Sequence, residues 1–107
     1  MSAELQRFKA EFFKALSHPL RVEILELLRQ GDKNVNELHT QLEVESSAVS
    51  QQLSVLRAKN IVIGNKKGTK VTYTVKDPLI FDLLDVAKSI FNNHLIETID
   101  LLKQIEI

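Results

Sequence analysis

The chain has no cysteine among its 107 residues, which excludes disulfides, thiolate metal sites and thiol redox switches. Tryptophan is absent as well, and only three glycines and two prolines interrupt the sequence, so turns and helix ends should cluster at those few residues and their polar neighbours. No apolar run approaches the length that spans a membrane. The start, Met1 to Phe13, is broken by Glu4, Arg7, Lys9 and Glu11 and does not read as a signal peptide, so a cytoplasmic location with no membrane partner is the expectation. Also missing are a nucleotide-binding glycine pattern and any workable set of nucleophile, base and acid. Neither an enzyme nor a cofactor is implied.

Net charge is the last absence: 14 Lys and Arg balance 14 Asp and Glu. The balance hides a segregation. From Ser46 to Lys76 there are six basic residues, Arg57, Lys59, Lys66, Lys67, Lys70 and Lys76, and no acidic one, so attraction to a polyanion would be local. An ordinary solvated basic face is the plain alternative. What the chain has in quantity is apolar side chains, 44% against 26% charged, the composition of one globular domain spanning residues 1–107.

Hydrophobic spacing divides that domain. Leu5, Phe8, Phe12, Phe13 and Leu16 recur at steps of three and four and predict a helix over roughly Ala3 to Leu16. Ser17-His18-Pro19 restarts the chain with a capping serine and a proline suited to a first turn, and Leu20, Ile24, Leu27 and Leu28 carry a second helix toward Gly31. Asn34-Val35-Asn36-Glu37 resembles a capping box opening a third helix that ends near Glu43. A fourth helix runs from Ser46 to Lys59 after a break at Val44-Glu45, and two helices joined so closely form a helix-turn-helix candidate. Ile61 to Ile63 and Lys70 to Val75 are β-prone and flank the turn residues Gly64 to Gly68, a hairpin wing and the only β element expected. Asp77-Pro78 then opens a long helix reaching about Gln104. The predicted class is α+β, mainly α: four helices, a β-hairpin wing and a long C-terminal helix.

On the fourth helix Val49, Leu53 and Leu56 share one side, while Ser47, Ser50, Gln51 and Ser54 cluster on another. Small uncharged side chains let a helix approach a duplex, glutamine can bond an adenine edge, and the N-terminus, with Ser46, attracts phosphate. A merely solvated helix face would normally carry more Lys and Glu. Lys66, Lys67 and Lys70 lie on or beside the hairpin, within reach of phosphates or a minor groove, although lysines also guard exposed strand edges. Arg57 and Lys59, at the helix's C-terminal end, suit its dipole and rank below the wing.

All five phenylalanines lie in the first and last helices. A chain of this length cannot readily bury so much apolar surface there and also fill a core. A twofold dimer through Leu5, Phe8, Phe12, Phe81, Leu84, Phe91 and Leu95 solves this, presents two reading helices about one DNA turn apart, and asks for a near-palindromic site in double-stranded DNA. Closure of a monomeric core by the same stripe is the alternative.

Three segments together, Ala15-Leu16-Ser17-His18-Pro19-Leu20-Arg21-Val22-Glu23-Ile24-Leu25, then Ala48-Val49-Ser50-Gln51-Gln52-Leu53-Ser54-Val55-Leu56-Arg57, then Gly68 followed by Val71-Thr72-Tyr73, resemble the ArsR/SmtB family of bacterial winged helix-turn-helix repressors over nearly the whole chain. The resemblance implies a homodimer through the first and last helices, operator binding through the fourth helix and wing, and release by an inducer. The metal sites of that family do not carry over. Asn34 and Asn36 stand where the arsenic-sensing branch has a Cys-x-Cys pair, and of the zinc-sensing positions Asp77, Leu79, Ile90 and Asn93, only Asp77 is a ligand type. Glu45 and Gln52 depart from the serine and histidine common at their positions.

His18, His39 and His94 lack convincing second ligands, His94 having only Glu97 and His39 only Glu43, so no metal site is expected. The effector is then an unidentified small molecule, a protein, or none. A protein-interaction module that has lost DNA binding is the competing reading, and the acid-free stretch argues against it.

Overall fold

The computed structural model describes residues 2–105, and its backbone falls into two compact units, Met1–Asp77 and Pro78–Ile107. The first contains α1 (Ala3–Ala15), α2 (Pro19–Leu28), β1 (Lys33–Asn34), α3 (Val35–Leu42), α4 (Ser46–Ala58), β2 (Val62–Lys67) and β3 (Lys70–Val75). The second is the single helix α5 (Leu79–Ile105).

Helix ends in the first unit follow from local hydrogen bonding. Ser2 Oγ accepts from the Leu5 amide at 3.2 Å and starts α1. The start of α2 corrects the sequence expectation: the cap is His18, whose Nδ1 accepts from the Leu20 amide at 3.1 Å, with Pro19 in the first turn. Ser17 lies one residue too early, and its hydroxyl donates back to the Lys14 carbonyl at 2.7 Å, one of the groups left open by the end of α1.

The capping box of α3 forms as expected. The Glu37 amide donates to Asn34 Oδ1 at 2.8 Å, and the Asn34 amide donates to Glu37 Oε1 at 3.1 Å. Helices α3 and α4 terminate in the same way. Glu43 (φ 56°) and Asn60 (φ 59°) adopt the left-handed conformation, and the next amides, of Val44 and Ile61, donate five residues back to the carbonyls of His39 and Leu56.

The core of the unit is drawn mainly from α2, α3, α4 and β2. Ile24 and Leu25 of α2, Leu38 of α3, Val49, Leu53 and Leu56 of α4, and Val62 of β2 are fully buried, and no polar side chain among the described residues is buried with them. Each such aliphatic residue contributes about 1.5–3 kcal/mol of transfer free energy, which seats α4 by the side opposite its serines.

The sheet has three strands in the order β1-β3-β2, all antiparallel, so the hairpin is not the only β element. Strand β1 pairs Lys33 with Tyr73 and Asn34 with Thr72; two residues are too few to show an alternating pattern. Gly64, Asn65, Lys66 and Lys67 also lie in β2, not in a turn, and pairing continues to Lys67 opposite Lys70. Gly68, at φ +64°, and Thr69 alone make the connection. Gly64 serves packing instead, since a Cβ there would meet Val71 Cγ1 at 3.0 Å and Tyr73 Cε1 at 3.3 Å.

Helix α5 has 27 residues and a length of about 40 Å at the usual rise. Ile80 is buried, whereas every residue from Lys88 to Ile105 is exposed. No helix among the described residues is long and apolar enough to cross a membrane.

Candidate nucleic-acid interface

Helix α4 turns Ser46, Ser47, Ser50, Gln51 and Ser54 to solvent, so the polar cluster expected from the sequence is one continuous exposed face. Ser54 Oγ donates to the Ser50 carbonyl at 3.0 Å, which commits its hydrogen and leaves its oxygen able to accept. Glu45 occupies the N-cap without a side-chain cap hydrogen bond. The positive end of the helix dipole at Ser46 and Ser47 is therefore not covered by the capping carboxylate.

In the wing, Lys66, Lys67 and Lys70 are all exposed. Lys67 and Lys70 stand directly opposite each other next to the turn, a like-charge pair that weakens a hairpin. None of the three lysines enters an ion pair among the described residues. Elsewhere cations do find carboxylates: Arg29 meets Glu26 at 3.2 Å, and Lys59 reaches Glu11 of α1 at 3.8 Å. Lys59 thus joins α4 to α1, a tertiary contact that helix-dipole reasoning did not anticipate.

Gln52 is the polar residue of α4 that sequence reasoning misplaced by treating it only as a departure from histidine. It is half-buried on the flank of the helix, and its Oε1 accepts from Arg21 Nε at 2.8 Å. The Arg21 guanidinium also donates through Nη1 to the carbonyls of Ala15 at 3.0 Å and Lys14 at 3.5 Å. The one available signal was its place three residues after the buried Val49, which turns Gln52 away from the serine face.

The apolar residues expected on the terminal helices separate into two groups. Leu5, Phe8, Phe91 and Leu95 are exposed, with Phe8 at 73% and Phe91 at 69%, whereas Phe12, Phe81 and Leu84 are half-buried. The ring of Phe12 meets that of Phe13 edge-on at 5.8 Å.

The described residues contain no group of three or more His, Asp or Glu side chains that could hold a metal. His18 is engaged as a cap, His39 Nε2 lies 3.1 Å from Asn36 Oδ1, and His94 is exposed on α5.

Comparison with known proteins gives this geometry a lineage. Residues 18–63, from the cap of α2 into β2, match the bacterial regulatory protein, arsR family. The uncharacterized HTH-type transcriptional regulator Rv0081 of Mycobacterium tuberculosis is 40% identical over 105 residues, covering 97% of this chain and 92% of that protein. The crystal structure of Rv0081 superposes with a TM-score of 0.83 at 41% identity, over 92% of this chain and 99% of that one. The solution structure of Mb0332 from Mycobacterium bovis, described as a homodimeric winged helix-turn-helix DNA-binding domain and a possible ArsR-family regulator, matches with a TM-score of 0.78 at 27% identity, over 87% and 86% of the two chains. An exposed, polar, acid-free face on α4 followed by a basic wing, on a chain this similar to such regulators, makes the protein a member of the ArsR family of DNA-binding winged helix-turn-helix transcriptional regulators.

Proposed function

We propose that the protein is a homodimeric repressor that reads a near-palindromic operator in double-stranded DNA and does not use the metal sites usual in its family. The observation that carries this reading is the exposed face of α4 lying just before three lysines with no ion-pair partner among the described residues. Ser47, Ser50 and Gln51 read base edges or the nearest phosphates, Ser46 binds phosphate at the helix N-terminus, and Ser54 accepts at the far end of the face. Lys66, Lys67 and Lys70 hold the sugar-phosphate backbone and relieve their mutual repulsion on doing so.

A second copy covers the apolar faces of α1 and α5 through Leu5, Phe8, Phe12, Phe81, Leu84, Phe91 and Leu95. The homodimeric M. bovis relative supports this assembly. Twofold symmetry then sets the two α4 helices about 34 Å apart, one turn of duplex. The protein works in the cytoplasm as a binding protein, not an enzyme. Its signal is a small molecule, a protein, or none beyond its own concentration.

The test is to titrate a labelled pool of genomic fragments at two salt concentrations, recover the bound fragments and sequence them. Enrichment of a palindrome with salt-sensitive affinity is the expected outcome, and a reporter behind that palindrome should be silenced by the protein. Absence of enrichment at both salts would replace this reading with a protein-interaction module built on the apolar helices.

A further inference from the structure

We propose that Arg21 and Gln52 are a positioning pair that fixes the orientation of α4, and that they govern how sharply the protein discriminates between DNA sequences, not how tightly it holds DNA in general. The proposal rests on the reading of α4 as the DNA-reading helix. Apart from the exposed, 3.8 Å Lys59–Glu11 ion pair at its C-terminal end, helix α4 is seated by Val49, Leu53 and Leu56, and burial of apolar surface has no direction of its own. A hydrogen bond does, because its energy falls steeply as distance and angle depart from the optimum. Base-edge contacts tolerate errors of only about 0.5 Å and 10–20°, so a directional tie beside the reading face has leverage that packing lacks.

Arg21 is suited to this task. It projects from α2, is half-buried, and uses one planar fork to reach two other elements: Nε to Gln52 Oε1 at 2.8 Å and Nη1 to the Ala15 carbonyl at 3.0 Å, with the Lys14 carbonyl at 3.5 Å. Bonds from a rigid guanidinium to both sides fix its plane, which a lysine could not do. Its positive charge also sits at the negative end of α1, which favours that placement without a carboxylate. One guanidinium therefore joins the end of α1, the body of α2 and the middle of α4. Gln52 is not itself a reader in this arrangement, since its carbonyl oxygen is engaged inward while its neighbour Gln51 is exposed.

The experiment uses the full chain and three variants: Gln52→Leu, which cannot accept; Gln52→Glu, which keeps the acceptor but has no donor; and Arg21→Lys, which keeps the charge but not the fork. Anisotropy titrations compare the enriched operator with a scrambled duplex of equal length. Gln52→Leu and Arg21→Lys should each lose about tenfold in preference for the operator, the size of one hydrogen bond to a charged group, with scrambled-duplex affinity changed less than about twofold. The Gln52→Leu/Arg21→Lys double variant should lose no more than either single one, because both remove the same tie. Gln52→Glu should retain the preference. Loss of preference in Gln52→Glu would overturn the proposal in favour of a direct DNA contact by the amide.

Amide hydrogen exchange of the free protein tests the pair without DNA. Exchange within α4 should rise in Gln52→Leu more than in α3, and remain at the parent level in Gln52→Glu. If the parent protein prefers no sequence yet shows this exchange pattern, the DNA reading fails while the structural tie stands. Unchanged exchange in Gln52→Leu would overturn the tie itself.

Discussion

Helix α4 and the second half of α5 both face solvent, but with opposite chemistries. Ser47, Ser50, Gln51 and Ser54 on α4 are small, polar and uncharged, whereas Ile90, Phe91, Leu95, Ile99 and Leu102 on α5 are large and apolar. Water satisfies the first face fully, so leaving it exposed costs little. Water cannot satisfy the second, and an apolar surface of that extent is stable only when covered. On the proposed function, the first face suits reversible occupancy by DNA and the second suits a lasting partner.

The comparison breaks most visibly on α5. Phe91→Glu and Leu95→Glu together should weaken self-association at least about 100-fold, because twofold symmetry places four carboxylates in the proposed interface, while leaving the fold of residues 2–77 in place. Sedimentation equilibrium reads the association, and an unchanged dimer would move the interface elsewhere. Next in size is the wing, where Lys66→Ala with Lys67→Ala removes four lysines from the dimer and should lower affinity for all duplexes roughly tenfold or more and reduce the slope of log affinity against log salt by about 4. A loss confined to the operator would give these lysines a reading role instead.

On α4 itself, Gln51→Ala should cost about tenfold on the operator and little on scrambled DNA, and equal loss on both would remove Gln51 from base reading. The smallest effect tests neither face. Glu43→Gly relieves a left-handed residue in the turn that presents α4 and should raise unfolding stability by about 0.5–1 kcal/mol, with binding and association unchanged. A fall in thermal midpoint would mean that the glutamate side chain contributes more than its backbone conformation costs.

The elements that were legible in the sequence were those specified by neighbours in the chain. Helices α1 and α5 were readable from spacing alone, and the capping box at Asn34 and Glu37 from two residues three apart. The buried stripe and polar face of α4 followed because a regular helix assigns each residue a direction. Harder cases involved competing local partners. Ser17 and His18 are both able to cap; with Pro19 at the first helical position the cap falls on His18, and the Ser17 hydroxyl turns back to the Lys14 carbonyl. The glycines at 64 and 68 and Asn65 suggest a turn over the whole stretch, yet Gly64 to Lys67 pair with β3 and only Gly68 and Thr69 turn.

What the sequence by itself determined is the order and amphipathic character of the helices, the acid-free stretch from Ser46 to Lys76, and the membership of a recognisable family, since all of these are properties of residue type and spacing. What only the tertiary structure decided is the third strand, the Lys59–Glu11 contact and the Arg21–Gln52 tie, whose partners lie far apart along the chain. Periodicity reports which way a side chain points on its own element. It carries no information about which distant group will be waiting there, because that is settled only when the buried faces of α2, α3, α4 and β2 close on one another.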